Sequence, residues 1–84
     1  MSRKDYIAAA RIIADIVESS IPNDPDTRTR QERLLGAVRR DSAAEVARHL
    51  ADLFKRDNSN FDRQRFYFAC ALDDNGRDPN REVN

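Results

Sequence analysis

Apolar residues recur at helical spacing in three stretches of the chain, with turn chemistry between them. The pattern predicts an all-α fold with three main helices at about 3–20, 27–56 and 62–74. They form a small bundle with a long second helix and a disordered C-terminal tail. Ser2 is an N-cap for the first helix, with Asp5 three residues later, and Met1 and Tyr6 hold the two positions of a hydrophobic staple. Pro22 and Pro25 bracket Asn23-Asp24 and end that helix near Ile21.

Asp26 or Thr27 caps the second stretch. Leu34, Leu35, Val38, Val46, Leu50, Leu53 and Phe54 follow at helical spacing, with Ser42 on the apolar face between Val38 and Val46. A continuous helix of about 30 residues would be roughly 45 Å long. A break at Gly36 or at Asp41-Ser42 is the alternative, but neither site carries a proline, which favours one helix. After the Asp57-Asn58-Ser59-Asn60 turn, Asp62 caps the third helix, and Phe61 and Phe66 form its staple. Asn75-Gly76 reads as a helix stop. Residues 1–76 form a single domain, and the polar residues 77–84, which include Pro79, form a flexible tail.

The first helix is apolar over too much of its circumference. At ~100° per residue, Ile13, Tyr6, Val17, Ala10, Ile21, Ala14 and Ile7 fill one broad sector. Ile16, Ala9 and Ile12 extend it on one side. The arc is about twice the ~100° stripe of a surface helix, wider than one neighbour can cover. Two readings follow: the helix is sandwiched between the other two, or Ile12 and Ile16 face another molecule.

Composition sharpens the second reading. Hydrophobic residues make up 39% of the 84, and 11 of them are alanine, so large apolar side chains for a core are few. No apolar run approaches the ~20 residues of a membrane span, and no secretory signal is read behind Met1-Ser2-Arg3-Lys4-Asp5. A single cysteine cannot form an internal disulfide, which fits a cytoplasmic setting. Fifteen basic and fifteen acidic residues cancel. They are unevenly placed: Arg28, Arg30, Arg33, Arg39 and Arg40 crowd the start of the second helix, and Asp41, Glu45, Asp52 and Asp57 its later half. Arginine outnumbers lysine 13 to 2, favouring directional contacts. Most of these charges read as a solvated helix face with pairs such as Arg48–Asp52.

Catalytic and metal chemistry find little support. His49 has Glu45 and Asp52 at helical spacing, but a metal site needs more nitrogen or sulfur donors. Ser42, His49 and an acid on one helix make a poor triad without an oxyanion hole. Cys70 lies among Phe66, Ala69 and Leu72 and reads as a small core residue. Asp73-Asp74-Asn75-Gly76-Arg77-Asp78 fails the calcium-loop pattern, which wants glycine where Asp78 stands. With two glycines there is no phosphate-binding loop. The expectation is no enzyme, no cofactor and no metal.

Two segments resemble small helical proteins encoded by tailed phages and bacterial prophages. One is Ser2-Arg3-Lys4-Asp5-Tyr6 with Ile7-Ala8 and Ile12-Ile13-Ala14. The other runs from Leu53-Phe54 through Asp57-Asn58 to Phe61-Asp62-Arg63-Gln64-Arg65-Phe66 and Ala69-Cys70. Such proteins often have proline where Ser59 stands. The resemblance implies a phage accessory protein in the cytoplasm of a bacterial host, with no catalytic residues to carry over. By analogy it binds a host or phage protein, for instance a defence complex inhibited as anti-CRISPR proteins do. The expected contacts are Ile12 and Ile16 for apolar anchoring, with Arg33, Arg39, Arg40 or Asp52 for steering. A nucleic-acid-binding protein, a structural homo-oligomer and a protein that sequesters a small ligand are the alternatives. No membrane partner is expected.

Overall fold

A computed structural model describes residues 3–20 and 30–80, with residues 30, 32 and 33 described by their backbone alone. Among the described residues there are three helices: α1 (Arg3–Ser19), α2 (Arg30–Asp57) and α3 (Arg63–Ala69). The second is the longest, 28 residues without a break. The expected caps and staple at Met1, Ser2, Asp26 and Thr27, and the turn at Pro22 and Pro25, lie outside the described residues.

α1 and α2 run antiparallel. Near the start of α1, Tyr6 packs on Phe54 at 4.8 Å between ring centroids. Just beyond its end, the Ser20 carbonyl accepts a hydrogen bond from Arg40 Nη1. α3 packs against both helices through Phe66 and Tyr67. Its start follows the sequence expectation: the Asp62 carboxylate accepts the Arg65 backbone N–H at 3.2 Å, and Phe61 packs on Phe66 at 5.6 Å. The preceding turn is held by Lys55, whose ammonium donates to the carbonyls of Ser59 and Phe61 at 2.7 and 3.1 Å.

The end of α3 comes earlier than the expected residue 74. Leu72 N–H reaches back to the Tyr67 carbonyl at 2.9 Å and Ala71 N–H to Phe68 at 3.1 Å, around an Ala71 with φ +63°. This is a Schellman stop with alanine in the left-handed position usually given to glycine. Asn75-Gly76 belongs instead to a separate turn. There Asp73 Oδ1 accepts the N–H groups of Asn75 and Arg77 at 3.0 and 2.9 Å. Gly76 has φ +73°, and a Cβ there would sit 2.7 Å from the Tyr67 ring, so glycine is required twice over.

The first residues of the stretch expected as a tail, from Arg77, fold back onto α2. Asp78 is 3% exposed, and its Oδ2 accepts from Arg40 Nε at 2.8 Å. Arg48 Nη1 donates to the Gly76 carbonyl at 2.9 Å. These two arginines bind the segment after α3 back onto α2. Residues 81–84 lie outside the described residues.

The larger correction concerns α2. Of its predicted apolar residues, only Phe54 is buried and Leu50 half-buried, while Leu34, Leu35, Val38, Val46 and Leu53 are exposed. The core face of α2 is Ala43, Ala44, Ala47 and Ala51, with Phe54 at one end and Arg40 at the other. Small residues set this choice because they let helix axes approach closely. The tightest point is Gly36, where a Cβ would fall 2.7 Å from the Ser20 carbonyl oxygen. A leucine face does not fit so narrow a gap.

Candidate functional site

At ~100° per residue, Leu35, Val38, Ser42, Val46, His49 and Leu53 fall within about 80° of one another on α2, and all six are exposed. The inward set, from Gly36 and Arg40 to Ala51 and Phe54, is centred about 145° away. The periodicity is real, but it marks an outer face. A second set of small residues at the same spacing marks the inner one.

On α1, Ala10, Ile13 and Val17 are buried, whereas Ile12 is 64% and Ile16 37% exposed. Both isoleucines lie on the side of α1 away from Ile7, which lines a cleft toward α3 with Tyr6, Phe61 and Phe66. Because both helices are right-handed and antiparallel, Ile12 and Ile16 lie on the same side of the α1–α2 pair as Val46 and Leu53. α3 occupies the other side. The sandwich and the outward-facing reading are thus each half right: α1 touches both helices, yet Ile7, Ile12 and Ile16 remain exposed. The result is a two-helix layer apolar on both faces, one of them partly covered by α3.

The charged candidates divide. Arg39 is exposed beside the outer stripe. Asp52 is also exposed and pairs with Arg63 at 3.0 Å. The Arg33 side chain lies outside the described residues. Arg40 is corrected: at 5% exposure, bonded to Asp78 and to the Ser20 carbonyl, it is part of the interior and offers no steering contact. Of the described basic residues near the start of α2, Arg39 is exposed and Arg40 is buried.

The residues weighed for chemistry do not converge. The His49 side chain is 78% exposed, with Glu45 at 3.9 Å. Cys70 is fully buried as the C-cap of α3, and burial pushes its thiol up to about 12. Burial likewise raises Tyr67, with nearby Asp52 adding to it. The Tyr6 hydroxyl is buried without a hydrogen-bond partner among the described residues. Among the described residues no three His, Cys, Asp or Glu side chains are placed to hold a metal ion, and no helix is long and apolar enough to cross a membrane. No family model, curated protein or solved structure matches the chain.

Proposed function

We propose that this chain is a non-enzymatic binding module that docks a protein on its α1–α2 face and acts by occupancy. The supporting observation is the exposure of Ile12, Ile16, Leu35, Val46 and Leu53, which helical spacing places on one side of one helix pair. Scattered surface leucines are ordinary, but a contiguous set rimmed by charge is the pattern of an interaction surface. Arg39 at its margin supplies a steering charge, while Asp52 is paired with Arg63 on the α3 side. The resemblance to phage and prophage proteins supports a bacterial host cell as the setting. Inhibition of a host defence complex, in the manner of an anti-CRISPR protein, is the finer form of the proposal.

The test is affinity capture from bacterial lysate after brief cross-linking, followed by mass spectrometry. Wild-type protein should retain a defined protein, and a variant carrying Ile12→Asp with Val46→Asp should lose it while melting like the wild type. Recovery of nucleic acid alone would refute the proposal.

A further inference from the structure

We infer that the cleft between α1 and α3 binds a small organic anion with an apolar body, of the class of an aliphatic carboxylate. This site lies apart from the α1–α2 face and does not depend on the docking reading above.

The shape of the cleft argues first. It encloses about 600 Å³, within the roughly 300–1,000 Å³ of small-molecule sites. Ile7, Phe61, Phe66 and Ala69 supply apolar walls. Phe61 and Phe66 are buried and held in the aromatic stack, so that part of the wall is preformed. Ile7 is 51% exposed and offers apolar surface that an incoming ligand can cover.

Charge selects the occupant. Arg3 and Arg65 line the same cleft and are exposed. Neither guanidinium has an ion-pair partner among the described residues. Asp62 is the one acidic residue among the described lining, and its Oδ1 already accepts the Arg65 backbone N–H. Asn58 also lines the cleft; its Oδ1 accepts the Asn60 N–H at 3.1 Å, which leaves its amide nitrogen to donate. Two guanidiniums against one carboxylate give the rim a positive balance, and arginine favours planar carboxylates. A neutral apolar molecule leaves these donors unused, and a bare anion leaves the walls unused. A molecule with both parts uses the whole cleft.

Titration of the full chain, followed by backbone amide NMR shifts, tests this with octanoate, octanol and acetate as probes. Octanoate should saturate shifts at residues 3–10 and 58–69. Octanol, with the body but no charge, should bind about 10-fold more weakly, and acetate should not bind measurably. Arg3→Gln with Arg65→Gln should weaken octanoate by about 10-fold and leave octanol unchanged. Ile7→Asp sets a carboxylate in the apolar wall and should abolish octanoate binding. All three positions are exposed, so each variant should melt like the wild type. Val46→Asp, on the α1–α2 face, should leave octanoate binding unchanged whatever it does to capture of a lysate protein, so the two proposals fail separately. Equal affinity for octanoate and octanol would overturn the inference. So would octanoate binding that survives Ile7→Asp, or an absence of shifts at tens of millimolar octanoate.

Discussion

Where α1 begins and α2 ends, Tyr6, Phe54, Phe61, Phe66 and Tyr67 stack with ring centroids 4.8–6.4 Å apart. At the opposite end of the α1–α2 pair there is no ring. The Gly36 contact, the Ser20 carbonyl and the Arg40–Asp78 pair hold the chain instead. The aromatic end is held by apolar area, which is large and nearly directionless. The polar end is held by bonds that need every partner in place, because a guanidinium or carboxylate buried alone is costly. A molecule built this way tolerates repacking at one end and very little change at the other.

Phe54→Ala should have the largest effect. It removes the ring shared by Tyr6, Phe61 and Phe66 and should cost about 3–5 kcal/mol, enough in so small a domain to abolish a cooperative melt followed by circular dichroism. Arg40→Ala should cost about 3 kcal/mol by stranding Asp78. The double variant Arg40→Met with Asp78→Leu should recover most of that loss in urea titrations; no recovery would mean that the Ser20 carbonyl is the essential contact.

Alkali should separate the two ends without mutation. An unfolded thiol releases its proton near 9.0, whereas folded Cys70 holds its proton to about 12. Between those values the unfolded chain binds fewer protons, so stability falls as pH rises. Tyr67 is shifted in the same direction. Cys70→Ala should flatten the first part of that decline. The smallest expected effect is a gain: Ala71→Gly relieves a left-handed alanine and should stabilise by about 0.5–1 kcal/mol, read as a shift in urea midpoint.

The helices were legible because caps, staples and spacing agree with one another. Asp62 with Phe61 and Phe66 is an example, and the absence of proline correctly favoured an unbroken α2. The early stop of α3 was hidden because its left-handed residue is alanine, so the usual glycine signal stands five residues too late, at Gly76. The return of the tail was hidden because Asp78 sits in a polar stretch whose partner, Arg40, is 38 residues away. The inner face of α2 was not legible for a different reason. Hydropathy ranks leucine above alanine, but the gap between α1 and α2 selects for size. Ile12 and Ile16 were identifiable because α1 carries more apolar arc than one neighbour can cover. The α2 leucines and valines were found as a stripe without its side of the helix being fixed.

The alanine face of α2 leaves an experimental signature. In a saturation library of this helix, selection for an intact protein should reject bulk at Ala43, Ala44, Ala47 and Ala51 while accepting polar residues at Leu35, Val46 and Leu53. Selection for association should impose the reverse rule on those three sites. On the proposed docking reading, folding and recognition occupy different sides of one cylinder, and each could evolve without disturbing the other.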